Sequence, residues 1–201
     1  MSRKTAQVIV AATVLAVVAF FVGRALIADS PDTDQQLQVR ADQTYDSSGI
    51  DESVKPTYSK LWQGVNDSLG DRTGIDVRYD AKSKIATIIH DGSSISSEAE
   101  VVRQAWTILA LWGQEAVKLS EVEHVHVQNQ ISAPDVDGNE VLATGVIIEM
   151  TKDQFLKFDW EKLKNQNIEA TLTSASTIYI VVPELASKIA PSDLYLVLEY
   201  P

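Results

Sequence analysis

The chain of 201 residues contains no cysteine. This absence excludes disulfide bonds, thiolate catalysis, zinc sites with cysteine ligands and membrane attachment through a lipidated cysteine. It leaves the cellular compartment open, because many exported domains also lack cysteine. The fold must therefore rest on an ordinary hydrophobic core, and a hydrophobic content of 45% allows one such domain with an appendage.

Several common functional motifs are also missing. The sequence has no P-loop, no G-x-G-x-x-G, no H-E-x-x-H and no G-x-S-x-G. Basic residues are scarce, since 17 lysines and arginines stand against 28 acidic residues, for a formal net charge of -11. An acidic surface repels phosphate groups, so we expect no nucleic acid as a partner. We also expect no cofactor.

The first 28 residues contain the longest apolar run of the chain. From Val8 to Gly23 no side chain is charged, and Arg24 interrupts an apolar pattern that continues to Ala28. An arginine that snorkels to the interface extends the usable span to about 20 residues, which is the length of a transmembrane helix. Arg3 and Lys4 precede the run and aspartates follow it, which favours a cytoplasmic N-terminus.

These features predict a single-pass protein of the cell membrane, anchored in the lipid bilayer through residues 8–28, with its C-terminal domain outside. One alternative is a cleaved signal segment. Cleavage of a signal segment requires small residues at the first and the third position before the cut. Cleavage after Ala25 meets this requirement with Gly23 and Ala25 but places Arg24 between them, and cleavage after Ala28 places the large residue Leu26 at the third position. A buried helix of a soluble domain is the other alternative. The anchor and the signal segment both place the remaining chain outside the cytoplasm.

Residues 29–53 are rich in aspartate, serine and glutamine, with few apolar residues. Such a segment buries too little apolar surface to offset the entropy lost on ordering. We expect residues 1–28 to form a cytoplasmic stub and the membrane anchor. Residues 29–53 then form a flexible acidic spacer that holds the domain off the membrane. The alternative is a docking peptide around Leu37 and Val39. Residues 54–201 then form the extracytoplasmic domain.

The domain is predicted to contain three consecutive helix-strand-strand units, and the amino-acid sequences of these units are not repeats of one another. The helices are expected from near Pro56 to Gly70, after a capping box of Ser97 and Glu100, and from Thr151 with a break at Asp159. The strands are expected in GIDVRYD, KIATIIH, EHVHVQ, EVLATGVIIEM, STIYIVV and DLYLVLEY. This order predicts an α+β fold, in which a mostly antiparallel sheet has its helices packed on one face.

Three histidines are the strongest candidates for a metal site. His124 and His126 lie two residues apart in a predicted strand, so their side chains share one face and the valines beside them face the core. Paired imidazoles can hold zinc or copper, and His90 on another strand is the candidate for a third ligand. Alternatively, His124 and His126 are polar residues on a half-exposed strand, where both would become charged near about pH 6 to 7.

Two further segments match functional motifs only in part. DVDGNE, residues 135–140, is similar to a calcium loop, but its glycine is at the fourth position rather than the sixth. A turn between strands explains the same residues. DGSSISSE, residues 91–98, places serines near an aspartate and His90, which is a weak pattern for a serine nucleophile. The same serines are expected in the turn and cap before the second helix.

The spacer and the lack of a strong catalytic motif favour a binding or scaffolding role. We expect a membrane-anchored domain that binds another envelope protein in a cell-envelope, transfer or phage-exclusion assembly. One alternative is a secreted or tethered hydrolase or metal-binding protein that uses His90, His124 and His126. Another alternative is self-association through an exposed edge of the sheet.

Overall fold

The computed structural model describes residues 50–70, 74–95 and 97–198. The predicted anchor, and all but the end of the predicted spacer, lie outside these residues and stay predictions. Within the described ranges, no helix is both long enough and apolar enough to cross a bilayer. Just before the first helix, the Asp51 carboxylate accepts a hydrogen bond from the Ser53 N–H (2.8 Å) and forms a turn.

The first helix, α1, spans Lys55–Ser68, close to the predicted range. Pro56 lies in its first turn, where the missing N–H of proline does not break a helical hydrogen bond. Gly70 follows the helix with a φ of 73°. A residue with a side chain is strained at such an angle, so this glycine ends the helix as predicted.

A hairpin of two strands follows α1. β1 spans Ile75–Asp80 and β2 spans Ile85–Asp91, and the two strands pair antiparallel. The Asp80 carboxylate holds the turn by accepting hydrogen bonds from the Lys82 N–H (2.9 Å) and the Ser83 hydroxyl (2.7 Å). Both predicted strands are confirmed.

The second helix, α2, spans Glu98–Ala116 and is the centre of the core. The Ser97 hydroxyl caps it by accepting a hydrogen bond from the Glu100 N–H (3.2 Å). The predicted capping box is only half formed, because the Glu100 carboxylate pairs with Arg103 instead. Most of the helix is buried, and the residues without any exposed surface are Val102, Ala105, Trp106, Ile108, Leu109, Ala110 and Trp112.

β3 spans His124–Pro134 and β4 spans Glu140–Thr151, and together they form an antiparallel hairpin that is longer than predicted. The register shifts between Asn129 and Gln130, so Gly145 of β4 is the extra residue of a β-bulge. Beyond this bulge, the hairpin continues past the end of β2.

The sheet has five strands in the order β1-β2-β3-β4-β5, where β5 spans Ile178–Val181. Three of its four pairings are antiparallel, but β2 and β3 run parallel. α2 connects these two strands, and a helix between neighbouring strands returns the chain to the same end of the sheet. The α+β class is confirmed, and the sheet is mixed because of this crossover.

The third predicted helix consists of two short helices. α3 spans Lys152–Phe155 and α4 spans Trp160–Leu163. The capping box of Thr151 and Gln154 is present, and the break falls before Asp159, which caps α4. The remaining turns are α5 at Ile168–Thr171, α6 at Pro183–Ala186, and 3-10 helices at Thr173–Ala175 and Pro191–Asp193.

The last predicted strand, DLYLVLEY, is wrong over its described part, which ends at residue 198. Tyr195 forms only an isolated bridge with Asn167. The segment packs against α2 instead, where the Thr107 hydroxyl donates to the Val197 carbonyl (2.7 Å) and Leu196 is fully buried. Its alternating apolar residues therefore cover a helix rather than pair in the sheet. In the described chain, the third unit has one strand rather than two.

The core lies between α1, α2 and one face of the sheet. The strand residues on this face are almost completely buried, namely Ile75, Val77, Ala86, Ile88, Val125, Val127, Val146, Ile148 and Met150. The alternate residues of the same strands point away from the helices. We call this second surface the open face.

Candidate functional site

The open face carries five isoleucines. They are Ile85 and Ile89 of β2, Ile147 of β4, and Ile178 and Ile180 of β5. All except Ile89 are half-buried, and none of the five belongs to the hydrophobic core cluster. Several partly exposed isoleucines on neighbouring strands form an apolar patch, which is a common feature of interaction surfaces.

His124 and His126 project from β3 into this patch. Val125 and Val127 are fully buried on the other face, so the predicted orientation of the strand is confirmed. The histidines are half-buried rather than freely exposed, because the neighbouring strands enclose them on both sides.

Glu149 of β4 joins the two histidines. It lies directly opposite His126 in the strand register, and its Oε1 is 3.0 Å from the Nδ1 of His124. Only 8% of Glu149 is exposed. The Nε2 atom of His126 is buried and has no hydrogen-bond partner among the described residues. His124, His126 and Glu149, which we call the histidine cluster, thus form a partly desolvated polar site among isoleucines.

His90 lies on the opposite side of the sheet from the histidine cluster. Its Nδ1 is 2.9 Å from the Oδ1 of Asn129, whose Nδ2 donates to the Val101 carbonyl of α2 (2.8 Å). His90 is 5% exposed and Asn129 is fully buried. The structure therefore does not bring His90 together with His124 and His126. It places His90 in a polar link between β2, β3 and α2.

A metal-binding role for His124 and His126 stays a prediction. Within residues 50–70, 74–95 and 97–198, no group of three or more histidine, aspartate and glutamate side chains is arranged to hold a metal ion. Glu149, the carboxylate that the strands place beside the two histidines, is not among the site residues predicted from the sequence. The feature of the sequence that could have identified Glu149 is its position as the single acidic residue within the apolar stretch GVIIEM, residues 145–150.

The other two candidate segments form turns. The Asp135 carboxylate accepts hydrogen bonds from the N–H groups of Asp137 (2.8 Å) and Asn139 (2.9 Å), which closes the β3–β4 hairpin. The Asp91 carboxylate accepts a hydrogen bond from the Ser93 N–H (2.9 Å) at the start of the connection to α2. These interactions give both segments the structural role expected of them.

A cavity of about 380 Å³ opens where β2 turns into α2. Its walls are mainly aliphatic and include Ile95, Val101, Ile131, Val182 and Leu185. Glu98 and Lys188 also line it and form an ion pair of 2.8 Å. The cavity lies beyond the carboxyl end of β2 and beside the last residues of β3, at the end of the sheet where ligands commonly bind to parallel strands. We call this site the end cavity.

The stability of the fold is expected to decrease as the pH falls from about 7 to about 5. Burial lowers the pKa of His90 and of His126, although Asn129 and Asp91 oppose the shift at His90 and Glu149 opposes it at His126. The unfolded chain therefore takes up protons at a pH where the native histidines stay neutral. Each histidine contributes a slope of at most about 1.4 kcal/mol per pH unit, beginning near about pH 6.5.

Urea unfolding at pH 7.5, 6.5 and 5.5 measures this dependence, and a His126→Thr variant should show a shallower slope. Hydrogen bonds lower the pKa values of the exposed carboxylates of Asp80 and Asp135. Protonation of these two groups therefore changes the stability only below about pH 4, outside the range of this measurement. A free energy of unfolding that is constant between pH 7.5 and 5.5 would contradict the expected protonation of the two histidines.

Comparison of the chain with models of protein families, with curated proteins and with solved structures finds no match. The open face, the histidine cluster and the end cavity are therefore the features from which we infer the function of this chain.

Proposed function

We propose that this protein is a membrane-anchored binding domain that holds a partner protein against its open face, outside the cytoplasm. One observation carries the proposal. A sheet covered by α1 and α2 on one face has, on its other face, four half-buried isoleucines of three strands that do not belong to the core, namely Ile85, Ile147, Ile178 and Ile180. Water contact with these side chains is unfavourable, and a partner that covers them gains about 25 cal/mol per Å² of buried apolar surface.

The polar groups of the open face supply orientation rather than most of the affinity. The histidine cluster lies among the isoleucines, and its carboxylate is already nearly buried before any partner binds. A few fixed polar groups within an apolar surface commonly define how a partner is oriented. A partner that covered this cluster without offering a polar group would leave buried charge uncompensated, which lowers affinity.

The charge of the domain suggests the chemistry of the partner. At the edge of the open face, β1 carries Asp76, Arg78 and Asp80, and Arg78 pairs with Asp76 (3.0 Å). The whole chain has a formal net charge of -11. A partner with an apolar centre and a basic rim is therefore complementary, whereas an acidic partner would be repelled.

The predicted anchor in residues 8–28 and the spacer in residues 29–53 support the membrane part of the proposal. A tethered domain meets partners of the same envelope at a high effective concentration, so a moderate affinity is sufficient. The alternative of a tethered hydrolase or metal-binding protein has less support, because His90 is on the core side of the sheet.

Photo-cross-linking in the native cells tests the proposal. A benzophenone amino acid is introduced at Ile147 or Ile180 on the open face, and in matched controls at Leu156 and Val136, which are 60% and 101% exposed. We expect an adduct of one discrete, larger mass from positions 147 and 180 and none from the controls. Protease added to intact cells or spheroplasts should then digest the adduct, because the domain lies outside.

The mass of the adduct distinguishes a separate partner from a second copy of the chain. A mass of two copies of the chain would indicate self-association and contradict a separate partner. Equal labelling of all four positions would indicate non-specific contact, and no adduct at positions 147 and 180 would reject the open face as the binding surface. An adduct that resists protease in intact cells but not in lysed cells would overturn the outside location.

A further inference from the structure

Among the described residues, the last part of β3 has an edge next to the end cavity that β2 does not cover. β2 pairs with β3 only as far as Asp91 opposite Gln130, and the chain then turns at Gly92 towards α2. β3 continues to Pro134 in its pairing with β4. The last residues of β3 therefore lack the neighbour that its earlier residues have.

The alternating direction of the backbone N–H and carbonyl groups along β3 shows which of them face this edge. The Gly92 N–H donates to the Gln130 carbonyl (2.8 Å), so Gln130 points its backbone groups towards β2. Alternate residues of a strand point their backbone groups to the same side, so the N–H and carbonyl of Ser132 also point away from β4. Among the residues that the structure describes, none on that side forms a backbone hydrogen bond with Ser132. Pro134 has no N–H and ends the edge.

Glycine at position 92 is required for this arrangement. A Cβ atom there would lie 2.7 Å from the Gln130 carbonyl oxygen and 2.7 Å from the Asn129 side chain. The close approach lets β2 finish its pairing and turn away within one residue. The space beside Ser132 is thus left to something other than β2.

The end cavity lies beside this edge, because Ser132 and Ala133 are among the residues that line it. Its aliphatic walls and its volume of about 380 Å³ leave room for one large apolar side chain together with part of the chain that carries it. Unpaired strand groups select an extended backbone, and an adjoining apolar pocket selects a side chain. A small apolar molecule would fill the pocket but would leave the strand edge without a partner.

The geometry points to a peptide-binding site, in which an extended segment of a partner pairs with Ser132 and inserts one aliphatic or aromatic side chain into the end cavity. The segment takes the position that β2 leaves free at Gly92. Glu98 is neutralised by Lys188, while Glu184 adds a further negative charge to the lining, so a segment with flanking basic residues is favoured. This site is separate from the open face and does not depend on it.

Peptide binding to the full chain in detergent tests the inference. The probes are fluorescein-labelled pentapeptides of the form Lys-Thr-X-Thr-Lys, where X is leucine, isoleucine, phenylalanine, tryptophan or alanine, and binding is read by fluorescence polarisation. We expect at least one bulky X to bind with a Kd below about 1 mM and at least about tenfold more tightly than alanine. Methylation of the backbone nitrogens on both sides of X should weaken that peptide by at least about tenfold, because it blocks strand pairing.

Variants of the protein supply the matched comparison. Ala133→Phe fills the end cavity from β3, and Ala81→Phe adds the same side chain to an exposed position in the β1–β2 turn. Ala133→Phe should weaken peptide binding by at least about tenfold, and Ala81→Phe should leave it unchanged. If Ala133→Phe fails to fold, as judged by circular dichroism, the methylated peptides decide the question on the unaltered chain.

Three results would overturn the inference. They are the absence of binding by every peptide at about 1 mM, equal binding of the methylated peptide, and equal binding by a folded Ala133→Phe variant. The cross-links from positions 147 and 180 report on the open face alone. If cross-links form from positions 147 and 180 but no peptide binds, the peptide site is rejected and the open face is retained. If peptides bind but no cross-links form, the open face is rejected and the peptide site is retained.

Discussion

Replacement of Trp112 by alanine is expected to lower the free energy of unfolding by about 3–5 kcal/mol. Trp112 lies in the C-terminal half of α2 with no exposed surface, and its Nε1 donates a hydrogen bond to the Leu61 carbonyl of α1 (3.2 Å). Truncation removes this contact between the helices and leaves a large void in a close-packed core. Since small domains have total stabilities of about 5–15 kcal/mol, the variant should be at the margin of folding.

Urea unfolding followed by circular dichroism measures the effect. Trp112→Phe is the matched control, because phenylalanine keeps most of the apolar volume and loses only the hydrogen bond and part of the ring. We expect a loss of about 1–2 kcal/mol for this control. A loss below about 1 kcal/mol for Trp112→Ala would show that α1 and α2 do not pack through this residue.

Replacement of Asn129 by alanine is expected to lower the free energy of unfolding by about 2–4 kcal/mol. Asn129 is fully buried, accepts a hydrogen bond from His90 through its Oδ1 and donates one to the Val101 carbonyl through its Nδ2. Its removal takes away both hydrogen bonds of the polar link between β2, β3 and α2. Hydrogen bonds lost from a fully buried site cost more than the same bonds at the surface, because water does not replace the lost partner.

The matched control for this variant is the neighbouring residue Gln128. Gln128 is half-buried on the open face, one position before Asn129 in the same strand. Gln128→Ala should change the free energy of unfolding by no more than about 0.5 kcal/mol. Equal losses of unfolding free energy for Asn129→Ala and Gln128→Ala in the same urea titration would contradict this expectation. They would show that any alanine substitution in this part of β3 destabilises the domain, whether or not the polar link is broken.

Much of the fold could be predicted because the apolar residues follow the period of each element. The stripe of α1, the buried face of α2 and the alternation around Val125 each identify one element without reference to the rest. Capping residues add local chemistry, as Thr151 and Gln154 do before α3. Such signals are contained within a few residues of chain, so sequence is sufficient for them.

The pairing of elements could not be predicted in the same way. Nothing within β2 or β3 specifies that they are parallel neighbours, since this depends on where α2 returns the chain. In KIATIIH, isoleucines point to both faces, so the pattern does not say which face His90 occupies. The histidine cluster needs the register between β3 and β4, and the end cavity needs four separate segments to meet.

The parallel pairing of β2 with β3 also sets an order in which the domain can form. α1 and the β1–β2 hairpin consist of contacts close in sequence and can collapse early during synthesis. The edge of β2 then stays exposed until the whole of α2 and β3 has emerged. An unpaired edge of this kind recruits other strands, so a nascent chain stalled before residue 124 is the form of this protein most prone to aggregation.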